Sequence, residues 1–220
     1  LRQLGGRQLT TRQVPVLFAP ELARGLIGHF TAAVRGGALY RKASFLLGRL
    51  GSAVFPPFVN LRERPHLPKG LASAPFDNEG VATVDRDLVS GGVLQGYVLD
   101  SYSARRLGMD TTGNAGGIHN LIVEPGPCDQ AALVRQLGTG LWVTHLLGHS
   151  VNLVTGDYSR GASGFWVENG TLAYPVEQIT IAGNLNEMFK QIVAVGNDVD
   201  ARSGIRCGSL LVERMTVAGE

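Results

Sequence analysis

Cysteine is scarce in this sequence: Cys128 and Cys207 are the only two in 220 residues, and they lie too far apart for a paired metal-ligand motif. That usage fits a reducing compartment, the cytosol, and leaves a single disulfide open. Long apolar runs are missing too. No window approaches the ~18 unbroken apolar residues of a membrane span, so no membrane partner is expected. Nor is there an excess of charge of either sign, since 20 Lys and Arg stand against 18 Asp and Glu, a net +2. The one basic stretch, Arg62, Arg64 and Lys69, is broken by Glu63, Pro65 and Pro68. It reads as a solvated loop and not as a nucleic-acid stripe. An initiator Met and an apolar leader are lacking at Leu1-Arg2-Gln3-Leu4-Gly5-Gly6, which points to a natural chain that begins earlier.

What is present can build a core: 44% of the chain is hydrophobic and 17% charged. Val14–Phe18 reads as a short strand, and Pro20 suits the first turn of the helix that follows. Leu22, Leu26, Phe30 and Val34 recur at four-residue steps and predict one buried face over residues 21–35, ended by Gly36-Gly37. A second, shorter helix is expected within 38–55. Prolines at 56, 57, 65, 68 and 75 make 56–80 a loop-rich connection. Strands are then expected at 81–84 and 93–99 around the Ser90-Gly91-Gly92 turn, and again at 118–123. Asp129 caps a helix to Leu137 with Gly138 past its end. Asn169-Gly170 supplies the two positive-φ residues of a tight hairpin between 164–168 and 171–174. Asn184 with Glu187 resembles a capping box for a helix over 185–195, and residues 208–217 close the chain as a strand. The fold class is α+β: a largely antiparallel sheet or partly closed barrel with a few packed helices.

Four blocks carry a resemblance. They are Leu99-Asp100-Ser101-Tyr102-Ser103-Ala104-Arg105-Arg106-Leu107-Gly108, Thr112-Gly113-Asn114-Ala115-Gly116-Gly117-Ile118-His119-Asn120, residues 155–170 (TGDYSRGASGFWVENG) and Ile179-Thr180-Ile181-Ala182-Gly183-Asn184-Leu185. These blocks are similar to the PmbA (TldE) branch of the TldD/PmbA family. The likeness runs from about residue 10 to the C-terminus, so that 1–220 corresponds to that family's C-terminal domain, with its N-terminal domain absent. The resemblance implies a cytoplasmic heterodimer with a TldD-like zinc peptidase subunit. Its substrates would be short peptides or unfolded proteins, with roles in microcin precursor maturation and antitoxin turnover. An older label for the family is modulator of DNA gyrase. In TldD the chemistry lies on a helix bearing His-Glu-x-x-x-His, with a late cysteine completing the zinc site. There two imidazoles and a thiolate hold the ion, and the Glu is the general base of its water.

At the decisive place this sequence departs from that pattern. The resemblance sets the first helix on the zinc-motif helix, with Gly28 and Ala33 at the two histidine positions and His29 at the glutamate position. Neither Gly nor Ala has a ligating atom. The expectation is therefore no zinc and no catalytic residue in this chain, with zinc in the partner subunit, even though Cys207 falls near the late ligand position. Two alternatives stay open. His145 and His149, four residues apart, would share a helical face and could hold a metal together with Cys207, making the chain a hydrolase in its own right; the same segment also reads as a strand. The other alternative is a homodimeric peptide-binding protein. Gly116, Gly117, His119, Tyr158 and Arg160 are the substrate or interface candidates, because glycine-dense backbone near strands can pair with an extended peptide and arginine with its carboxylate.

Overall fold

The structure, a computed structural model, describes residues 5–219 apart from the side chain of His149. Its centre is a closed ring of five strands. In chain order these are β1 (Arg12–Phe18), β6 (Gly140–Val151), β7 (Asp157–Glu168), β8 (Thr171–Asn184) and β11 (Leu210–Ala218). β1 lies antiparallel to β11 and parallel to β6, and every other neighbouring pair in the ring is antiparallel. The ladder shifts between Val14 and Val16, where Pro15 has no N–H to donate. β9 (Ile192–Val195) adds to the free side of β11. A second sheet of five strands runs β10 (Ile205–Arg206), β5 (Leu121–Val123), β2 (Leu61–Glu63), β3 (Arg86–Ser90) and β4 (Val93–Leu94). The expectation of a largely antiparallel, barrel-like α+β fold holds, and the barrel is fully closed.

Alternation along β1 sorts the core. Val16 and Phe18 enter the main cluster, while Leu17 turns to a smaller one beneath α4 (Gln130–Leu137), with Leu133, Leu137, Val167 and Leu211. The main cluster receives α1 (Pro20–Ala33) through Leu26, Ile27 and Phe30. Phe30, Phe55 and Phe189 pack ring against ring at 5.0–5.8 Å, joining α1, the proline-rich segment and α5 (Leu185–Lys190). Such contacts between distant segments are what seat α1 on the barrel.

Several boundaries move. α1 closes at Val34, and Gly36 instead opens the short α2 (Gly36–Leu39), packed so closely on α3 (Ser101–Leu107) that any side chain there would overlap Ser103. Beyond Leu39 the predicted second helix is a chain of turns. The Gly91-Gly92 turn is in place, but it joins 86–90 to 93–94; residue 82 makes only an isolated bridge to Phe76. α5 stops at Lys190, because Ile192, Val193 and Val195 are β-branched and join β11. Asn184 does cap α5, accepting from the Asn186 N–H at 3.1 Å, whereas Glu187 turns to the Asn186 side chain. The Asn169-Gly170 hairpin forms with both φ positive, and its strands run far longer than the local pattern indicated.

Candidate functional site

The outward face of α1 is open at two glycines. Gly25 and Gly28 are helix-interior glycines that weaken the helix by about 1 kcal/mol each relative to Ala, yet an added methyl at either would meet nothing within 4 Å. Beside Gly25 lies a recess of about 150 Å³ between α1 and β7, lined by Glu21, His29, Leu146, Tyr158 and Arg160 among others. His29 stands edge-on to Tyr158, with ring centroids 6.0 Å apart. Tyr158 is buried, and burial pushes its phenol up to about 12 despite the nearby Arg160 charge. The Nε of Arg160 is buried with no hydrogen-bond partner among the described residues.

The segment carrying Cys207 lies against the same helix. Arg24 of α1 reaches Asp200 at 3.0 Å, Arg202 bridges Asp200 and Glu21, and Asp200 pairs with Cys207 across an isolated bridge. Hydrogen bonds from the Arg202 side chain and its N–H hold the Asp200 carboxyl below the usual range. The Cys207 thiol is fully buried and donates to the Gly208 carbonyl at 3.2 Å. Burial, with Asp198 adding to it, pushes that thiol well above the ordinary cysteine value, so it stays protonated.

Gly116, Gly117 and His119 belong to a different cluster. Its hub is Glu63 at the end of β2, 1% exposed. It accepts from Arg86 Nε at 2.7 Å, from Asn114 Nδ2 at 2.7 Å and from the His119 N–H at 2.8 Å, with His119 Nδ1 at 3.1 Å. Arg86 also donates to the Tyr97 carbonyl and to Asn114 Oδ1, each at 2.8 Å. Asp77 secures the other side of the loop, accepting from the N–H groups of Ala115, Glu79 and Val81. Burial alone would raise the Asp77 carboxyl, and those three backbone donors outweigh it and hold it low. Gly116 and Gly117 have φ of 107° and 129°, and a methyl on Gly116 would strike the Asn78 amide. Neither glycine nor His119 lines the recess on α1.

This geometry corrects the idea of strand addition at the glycine-dense stretches. Residues 158–161 sit in β7, all paired with β8 and, apart from Arg160 at a shift in the ladder, also with β6, so most of their backbone groups are already in ladders. Around residues 112–117, the N–H groups of Thr112, Ala115 and Gly117 are taken by Leu99, Asp77 and Asn114. His145 and His149 do not share a helical face, because both fall in β6, whose ladder shifts between Leu147 and Ser150. His145 is exposed, and the side chain of His149 lies outside the described residues. Ala33 is packed into the main core, while Gly28 faces open space, so these two positions do not share an environment. Among the described residues no group of three or more His, Cys, Asp or Glu side chains could hold a metal ion.

Glu63, Arg86 and Asp77 were given no site role by the sequence reading. No local spacing ties 63, 86, 114 and 119 together, and Glu63 lies where a loop was expected. A roomier cleft of about 580 Å³ lies elsewhere, between β9 and the 124–128 turn, lined by Phe58, Pro125, Cys128 and Val193 with Glu124 as its one charged group. No helix among the described residues is long and apolar enough to cross a membrane.

Residues 11–219 match the family model described as the PmbA/TldA metallopeptidase C-terminal domain. The chain is 55% identical over 218 residues to a Metalloprotease PmbA homolog of Haemophilus influenzae, covering 99% of this chain and 48% of that protein. A solved structure from Bacteroides thetaiotaomicron, described as a candidate modulator of DNA gyrase, superposes with a TM-score of 0.95 at 34% identity, over 100% of this chain and 50% of that one. TldE from Thermococcus kodakarensis does so with a TM-score of 0.87 at 26% identity, over 99% and 53%. The chain thus spans about half the length of the relatives it matches. It belongs to the PmbA/TldD metallopeptidase family, in the PmbA branch, and corresponds to that family's C-terminal domain.

Proposed function

We propose that this chain is the C-terminal domain of the non-catalytic subunit of a TldD/TldE-type zinc peptidase. It holds no zinc itself and helps to wall the chamber in which short or unfolded peptides are cut by a TldD-like partner. The observation that carries this reading is the chemistry of α1. The positions matched to the histidine ligands are Gly28, which has no side chain, and Ala33, whose methyl is buried in the core. A zinc peptidase needs about three protein ligands with one open position, and His29 supplies only one imidazole. Cys207, near the late ligand position, is fully buried and would find no histidine at positions 28 and 33 to complete a site. The likeness to TldE of Thermococcus kodakarensis supports the assignment to that subunit type. A direct test mixes the intact protein with a TldD-like chain and follows cleavage of an unstructured fluorogenic peptide. Cleavage is expected only in the mixture. Chelator-sensitive cleavage by this protein alone would overturn the reading and favour a hydrolase acting on its own.

A further inference from the structure

Two donors buried beside the recess between α1 and β7 have no hydrogen-bond partner among the described residues. Arg160 enters none of the ion pairs among the described residues, and its Nε is buried without a hydrogen bond. Guanidinium groups only donate. Tyr158 is 2% exposed, and its hydroxyl has no hydrogen-bond partner among the described residues. Its phenol, pushed up to about 12, keeps its proton at neutral pH and so remains a donor. The one carboxylate lining the recess, Glu21, is engaged by Arg202 at 2.7 Å. Buried donors are normally satisfied, so a pair left open toward one cavity marks the place of an absent acceptor. An acceptor beside a buried arginine is best matched by an anion.

The remaining walls limit its size and kind. Leu22, Leu26 and Leu146 are apolar, and Gly25 leaves the helix face open. A volume of about 150 Å³ equals that of roughly five waters, at about 30 Å³ each. That is room for a carboxylate, its Cα and a small side chain. We propose that this recess binds the C-terminal carboxylate of a short peptide, with Arg160 pairing with the carboxylate, Tyr158 donating to one oxygen, and the leucines admitting a small apolar terminal side chain. A terminal residue presents carboxylate and side chain from one Cα, which suits donors set beside apolar walls; an aspartate side chain offers only a methylene there. The inference rests on the peptide-binding part of the proposed function and is independent of which subunit holds zinc.

The test is calorimetric titration of the intact protein, without partner or added metal, with three probes: acetyl-Ala-Ala as free acid, its C-terminal amide, and acetyl-Ala-Asp-amide. The free acid is expected to bind roughly ten- to a hundredfold more tightly than the amide, the factor for a charge-assisted hydrogen bond. Arg160→Gln should reduce the acid to the level of the amide, Arg160→Lys should retain part of the preference, and Tyr158→Phe should weaken the acid several-fold. Equal binding of acid and amide, or no saturation by the acid at about 10 mM, would overturn the proposal. So would binding of the Asp-amide as tight as that of the acid. The wild-type comparison decides even where a variant does not fold. A failure here with intact cleavage in the TldD-like mixture would count against the carboxylate site alone.

Discussion

Glu63→Ala is the perturbation whose cost can be worked out most fully. The side chain is 2% exposed and joins Arg86, Asn114 and His119. Truncation strands the His119 N–H and removes the anion beside a guanidinium that is itself only 17% exposed. Arg86 keeps its bonds to Tyr97 and Asn114, and Asn114 keeps one to Gly117, so the loop is weakened and not wholly released. Breaking a buried ion pair by deleting one partner typically costs about 3–5 kcal/mol. For a domain of this size that corresponds to a fall in melting temperature of roughly 6–20 °C. Glu63→Gln keeps the shape but places an NH₂ among donors, and is expected to lose about 1.5–3 kcal/mol. Urea unfolding of both variants, with Arg86→Met and the double variant completing a cycle, gives the coupling directly. A loss below about 1 kcal/mol for Glu63→Ala, within the range of an exposed pair, would refute the view that this hub holds the 114–119 loop.

Acid should weaken the fold through Asp77, Asp100 and Asp200, all held below the ordinary aspartate value. A lowered folded-state pKa contributes stability that is complete above the unfolded value of about 3.9 and is lost as pH falls through the folded value; urea midpoints between pH 5 and pH 2 should therefore drop, and Asp77→Asn should flatten part of that slope. Iodoacetamide should modify the half-buried Cys128 first and reach Cys207, fully buried with its thiol pushed up, only on unfolding, as read by mass spectrometry. Gly164→Ala should destabilise the barrel by about 1–3 kcal/mol or more, measured by thermal melting, because a methyl there overlaps the Trp142 carbonyl in the adjacent strand.

Elements with their own punctuation were legible in the sequence. Pro20 and the four-residue apolar step placed α1, Asp129 and Gly138 bracketed α4, and Asn169-Gly170 set the β7–β8 hairpin. Elements defined by distant partners were not. β9 was read as helix because Ile192–Val195 become a strand only by pairing with β11, and β6 became a twelve-residue strand through β1 and β7. The site divides in the same way. His29 with Tyr158 and Arg160 were each singled out from sequence, but their meeting in one recess depends on how α1 lies on the barrel. Glu63 and Arg86 were invisible, since their chemistry arises from contacts across 23 and 51 positions of chain.

The most direct test of the central claim is zinc content per chain, by elemental analysis of the intact protein purified alone and then in complex with a TldD-like subunit. The account predicts essentially no zinc in the protein alone and about one ion per pair in the complex, the stoichiometry of a single catalytic site. Stoichiometric zinc in the isolated protein, removed by changing His29 or Cys207 to Ala, would contradict it.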